Sequence, residues 1–107
     1  MFQRSGDLPI GVPSNMVQYA ALLMMIAEVT GLEPYEYVHT ISDAHIYVDQ
    51  MEAVEKMLER EPRPFPTMKL TKKTDDIFSF RHTDFELSDY NPHPGIKGIP
   101  VAIWPKK

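Results

Sequence analysis

The first 15 residues, MFQRSGDLPIGVPSN, set Arg4, Ser5, Asp7 and Asn15 among two glycines and two prolines. An Arg beside a Ser hydroxyl on a Gly-containing loop suits a cluster of anionic oxygens. The guanidinium fork binds phosphate in bidentate fashion and the hydroxyl adds one more hydrogen bond. The same pair also suits an ordinary solvated loop, and the residues alone leave both readings open. A second group lies in HTISDAHIY. The period of two along a strand puts Asp43, His45 and Tyr47 on one face and Ser42, Ala44 and Ile46 on the other. His39 shares the polar face but has no second ligand at i, i+4 spacing, so it reads as a structural histidine, and no metal site is expected. His82 and His93 fall in loops with no spacing signal. The chain has no Cys, which excludes a disulfide framework, a thiolate metal site and a cysteine nucleophile within these residues. No GxSxG, P-loop or GxGxxG motif occurs.

These side chains need elements to position them. Residues 16–30, MVQYAALLMMIAEVT, are apolar on nearly every side, which predicts a helix buried within something larger. Ser14 or Asn15 is the expected cap, and Gly31 sits where the helix should stop. Residues 35–48 are rich in β-branched and aromatic side chains and predict a strand, or two with a bend near Ser42–Asp43. Residues 49–60 predict an amphipathic helix capped by Asp49, with Met51, Val54, Met57 and Leu58 as its apolar face. The prolines of EPRPFP force an extended run at 61–66. Short strands are expected near 67–70 and 85–90, joined by a turn through 74–84. Helix, strand, helix, strands is an α+β order, with helices packed on a mixed sheet.

Composition bounds the function. With 107 residues the chain is one domain or part of one, since domains cluster near roughly 100–150 residues. A net charge of −4, without a basic patch beyond KLTKK, argues against nucleic-acid and membrane-surface binding. No signal peptide is evident, and the longest apolar tract, 19–27, falls short of the roughly 20 residues of a membrane span. A cytoplasmic protein is expected.

QRSGDLPIGVPSN before an apolar helix, then HTISDAHIY, REPRPFP and YNPHPGIKGIPVAI, in that order and spacing, resemble the C-terminal part of thymidylate synthase over essentially the whole chain. The resemblance implies one-carbon transfer from 5,10-methylenetetrahydrofolate to C5 of dUMP, with reduction to a methyl group. It implies that Arg4 and Ser5 hold the dUMP phosphate, that Asn15 reads the uracil edge, and that His45 and Tyr47 bond the 3′-hydroxyl. Asp7 would accept hydrogen bonds from the pterin ring of the folate, and Gly11 would let backbone approach that ring. The terminal PVAI resembles the segment that closes over the ligands. Residues 1–107 would form the C-terminal part of one such domain, in a homodimer whose neighbour supplies further phosphate-binding Arg residues.

Three departures from the family pattern bear on this. The family's catalytic Cys lies upstream of the QRS block, so the chain by itself is expected to be inactive. Ser14 stands where the family usually has Phe. Four residues, WPKK, follow PVAI, where the family's terminal carboxylate takes part in closure. Two alternatives accompany the synthase reading: part of a pyrimidine nucleotide hydroxymethylase, or a non-catalytic homologue that binds nucleotide or a partner chain. Asn15 favours uracil over cytosine, because cytosine-using relatives tend to carry Asp there.

Overall fold

A computed structural model describes residues 1–101. Two compact units divide the chain: one holds residues 1–16, 39–62 and those from His93 onward, the other residues 17–38 and 63–92.

In the first unit, β1 (Phe2–Asp7) pairs in parallel with β2 (Thr40–His45), setting Ser5 opposite Asp43 and Asp7 opposite His45. The ladder continues at both ends, where Thr40 N donates to Met1 O at 3.0 Å and Leu8 N to His45 O at 2.9 Å. A parallel pair needs a long crossover connection, usually helical. Here residues 8–39 supply it and contain α1 (Gly11–Thr30). The QRSGD block is therefore a strand, where a loop was expected. The polar backbone of this stretch is used by the ladder. β2 runs unbroken through Ser42 and Asp43, the single-strand alternative of the two expected, but residues 35–39 are not strand.

α1 starts five residues before its expected first turn. Ser14 and Asn15 lie inside the helix and do not cap it. Pro13 is tolerated so early because the first amides of a helix have no intrahelical partner. The Asp7 carboxylate reaches Ile10 N at 3.4 Å, just before the first helical residue. The other end stops as expected. Gly31 takes φ +69°, Gly31 N bonds Glu28 O and Leu32 N bonds Ala27 O at 2.9 Å, the paired closure that a glycine allows. With 20 residues, α1 is also long and apolar enough to cross a membrane by length and composition, which the shorter uninterrupted tract at 19–27 did not suggest.

After β2 comes a 3-10 turn at Val48–Gln50, then α2 (Met51–Leu58). Asp49 sits within that turn, so the expected Asp49 cap is not formed. Of the expected apolar face of α2 only Val54 is buried; Leu58 is 76% exposed. In the second unit β3 (Thr67–Leu70) pairs antiparallel with β4 (Phe85–Ser88). Two 3-10 turns, Ile77–Ser79 and His82–Asp84, fill the connection. Asp76 accepts from Phe78 N at 2.9 Å, Lys72 Nζ donates to Ser79 O at 2.7 Å, and Phe80 is buried near Phe85. Asp89, at φ +59°, follows the end of β4. The architecture is α+β, with parallel and antiparallel pairing in two separate two-stranded sheets.

The start of α1 lies tight against β1. A Cβ on Gly6 would come within 2.8 Å of Val12 Cγ2, with Ile41 Cγ2 and Gln3 Nε2 at 3.4 Å. Val12 is buried and its branched side chain has few rotamers to escape into. Gly6→Ala should therefore cost about 1–3 kcal/mol by overpacking. Urea denaturation measures this, and an unchanged midpoint would show that strand and helix separate freely.

Candidate functional site

Three hydrogen-bonded groups form along the parallel pair. The first follows from the Ser5–Asp43 register. Ser5 Oγ donates to Asp43 Oδ2 at 3.2 Å, and His45 Nδ1 lies 3.2 Å from Asp43 O and 3.5 Å from Asp43 Oδ1. Both neighbours of Nδ1 are acceptors, so Nδ1 carries the proton. In a neutral ring Nε2 is then left able to accept one. The His45 and Tyr47 rings meet edge to face, centroids 5.1 Å apart. Asp43, His45 and Tyr47 thus come together as the strand period implied, although Tyr47 lies two residues past the end of β2.

The second group fixes Asn15. His39 Nε2 donates to Gln3 Oε1 at 2.8 Å, and Gln3 Nε2 donates to Asn15 Oδ1 at 3.0 Å and to Ser5 O at 2.8 Å. An amide whose oxygen is held by a donor has its orientation set. The Asn15 NH₂ is therefore directed away from Gln3, with a second lone pair on its oxygen still open.

The third group centres on Gln50, which has no solvent exposure. Its Oε1 accepts from Tyr47 N at 3.0 Å; its Nε2 donates to Asp7 Oδ2 at 3.1 Å and Pro100 O at 2.8 Å. With Ile10 N on Oδ1, both Asp7 oxygens have a partner and each keeps a free lone pair.

Arg4 stands apart. It is exposed, and among the described residues its guanidinium has no hydrogen-bond or ion-pair partner. Ser5, beside it in sequence, spends its proton on Asp43. An anion at Ser5 would have to turn that hydroxyl away from a carboxylate. Gly11 has ample room: a Cβ there would meet only Asp7 Cβ at 3.8 Å and Asn15 Oδ1 at 3.9 Å. Of the candidate residues, Arg4 and Tyr47 are exposed and the rest are half-buried. A pocket of about 330 Å³ lies in the second unit beside Met24 and Met68, and one of about 200 Å³ in the first unit between α2 and Ile96–Pro100, and none of them lines either. Among the described residues no three His, Asp or Glu side chains form a metal-binding cluster. Of the PVAI segment, Pro100 and Val101 are described; the rest, with WPKK, lies outside the described residues.

Gln3, Asp43 and Gln50 were not legible as site residues. Asp43 had a usable signal, since it shares the period-two face with His45. Gln3 and Gln50 are single amides whose importance comes only from what the fold brings to them.

The thymidylate synthase family model matches residues 1–103, across both units. The chain belongs to the thymidylate synthase family. It is 48% identical over 97 residues to a thymidylate synthase of Homo sapiens and equally identical to one of Saccharomyces cerevisiae, with 91% of the chain aligned in each case. It spans about a third of those relatives' length, 31% and 32%. The matched thymidylate synthase region includes all of Arg4, Ser5, Asp7, Gly11, Asn15, His45 and Tyr47.

Since nothing in the thymidylate synthase fold of this chain crowds position 11, Gly11→Ala should change its stability by less than about 0.5 kcal/mol. The contrast with Gly6→Ala is the check. A midpoint loss at Gly11 as large as at Gly6 would show that the helix start itself demands glycine.

Proposed function

We propose that the chain is the nucleotide- and folate-binding C-terminal part of a thymidylate synthase that converts dUMP to dTMP with 5,10-methylenetetrahydrofolate. The observation that carries this reading is the cluster along the parallel pair, within a family match that spans both units. Every candidate except Arg4 and Gly11 already belongs to one of its three hydrogen-bonded groups.

The chemistry of each group supports its role. Asn15 offers its NH₂ to uracil O4 and the open lone pair of its oxygen to N3–H, a two-point fit that cytosine, with its reversed pattern, does not satisfy. His45, with its proton on Nδ1, accepts a hydrogen bond from the 3′-hydroxyl at Nε2, and Tyr47, whose ring meets that of His45, adds its hydroxyl. Arg4 supplies the charge for the phosphate, and Ser5 turns from Asp43 to donate one bond. Asp7 receives pterin N–H groups on its remaining lone pairs. Gly11 leaves the space that its neighbours do not need. The orientation of Asn15 is the reason for preferring a uracil nucleotide; it does not separate methyl transfer from hydroxymethyl transfer.

The reading extends to assembly and place. Met16, Val17 and Ile26 of α1 are 48%, 64% and 43% exposed. Glu28 and Gln18 interrupt the same helix, so its cover is better supplied by protein than by lipid. We place the protein in the cytoplasm as a homodimer, with no nucleic-acid or membrane partner.

The 107 residues contain no thiol to add to C6 of the pyrimidine, and covalent catalysis of this kind needs one. The chain alone should form no dTMP above a buffer control. Mixing it with a polypeptide covering the part of the Homo sapiens relative that the alignment leaves out should restore turnover. Activity of the chain alone, or a mixture that stays inactive although the two chains associate, would overturn the proposal. Light scattering of the chain by itself should give a dimer or larger species, because an apolar surface of several hundred Å² is uncommon on a soluble monomer. A monomer would argue that α1 is content in water.

A further inference from the structure

We propose that Gln50 is a positioning residue that couples the Asp7 carboxylate to residues 96–100, so that an occupant of Asp7 and the anchoring of those residues are felt by one side chain. Gln50 is completely buried, and its amide makes every bond that its burial demands. A glutamine amide has one carbonyl oxygen and two N–H donors. The oxygen takes Tyr47 N and closes the turn into α2; one N–H goes to Asp7 Oδ2 and the other to Pro100 O. These partners lie 43 and 50 residues from Gln50 in sequence, on opposite ends of the chain. Residues Ile96–Pro100 line a pocket with Asp49, Glu52 and Lys56, and the bond to Pro100 O ties that segment to Gln50.

The division of labour within one amide gives the inference its chemistry. The carbonyl oxygen serves the fold, since it completes the turn at Tyr47. The NH₂ serves the site, since it holds an anionic acceptor on one side and the terminal segment on the other. A ligand N–H that draws on Asp7 Oδ2 competes with or polarises the Gln50–Asp7 bond, and the response is passed to Pro100 through the same nitrogen. The mechanical half of this rests on the hydrogen bonds alone. The half that names a folate as the occupant of Asp7 rests on the function proposed above.

The test separates the two halves. Gln50→Glu keeps an oxygen for Tyr47 N but removes both donors, and sets two carboxylates together. Gln50→Met keeps the shape and removes every hydrogen bond. In the full 107-residue chain, tryptic cleavage after Lys97 reports release of the terminal segment, and far-UV circular dichroism reports α2. Both variants should be cleaved about tenfold faster at neutral pH. Gln50→Glu should keep its helix content and regain part of the wild-type protection as the pH falls, measured by hydrogen exchange in the 96–101 region corrected for the intrinsic rate. A protonated carboxyl offers one O–H where the amide offers two N–H donors, so the recovery is partial; a merely structural defect would not reverse in this direction. Unchanged cleavage in a folded Gln50→Glu chain, or protection lost with no recovery on acidification, overturns the proposal. Added 5,10-methylenetetrahydrofolate should slow cleavage of the unmodified chain and not of Gln50→Glu. If the folate binds the unmodified chain by calorimetry yet alters cleavage of both equally, the coupling is refuted. If it binds neither, the folate reading fails, and the cleavage and pH comparison decides the mechanical half by itself.

Discussion

A primary amide removed from water must make its hydrogen bonds, because an unpaired buried donor or acceptor costs about 1–3 kcal/mol. Gln50 meets that constraint with three hydrogen bonds at once, and all three partners lie in the first unit. The end of β1 must present Asp7, the turn after β2 must present the Tyr47 amide, and the chain must return 50 residues later to present Pro100 O. The register of the parallel pair follows from the same demand, since Asp7 stands opposite His45 only two residues before Tyr47. Slipping the register by one residue would carry Asp7 off the amide and separate Ser5 from Asp43. The polar site and the packing of this unit therefore share one origin.

Gly6 is the apolar counterpart of that constraint. With Val12 Cγ2 only 2.8 Å from where a Cβ would sit, the first turn of α1 lies nearly on the backbone of β1. That closeness brings Asn15, one turn on, within reach of the Gln3 side chain. The glycine five residues later has no such neighbour. Two glycines in one short motif thus have different reasons to be there: one is required by the protein's own packing, the other leaves room that the fold does not use.

The sequence was most readable where a single physical effect acted alone. Gly31 ended α1 because a left-handed residue closes a helix, and β3 began and ended at 67 and 70 as its composition implied. It misled where a tertiary bond replaced a local one. Ser14 and Asn15 have the chemistry of caps, but Asp7, four residues before the helix starts, reaches Ile10 N, and Asn15 turns to Gln3. Asp49 was passed over because Gln50 closes the turn with its own side chain. The polar QRSGD block resembled a loop because its side chains are hydrophilic, while its backbone amides and carbonyls were free to join a ladder. Hydrogen bonds spanning tens of residues leave no periodicity, so Gln3 and Gln50 could not be found before the fold was known.

The described chain has a thin interior for its apolar content. Val12, Ala27, Val54 and Phe80 are its buried hydrophobic residues, while Val17, Leu32, Leu58 and Phe65 are at least 64% exposed. A helix apolar all round belongs in the middle of a structure, yet only Val12 and Ala27 of α1 are buried. Burial of apolar area is the main favourable term in folding, and a chain of this length has little of it to spare. The relatives it matches are about three times as long and align with it across both units. The polar groups do not share this deficit. Gln50, Asp7, Gln3 and Asn15 have partners within the first unit itself. The hydrogen bonds of these four side chains are thus met inside the first unit, while the apolar side chains of α1 stay partly open.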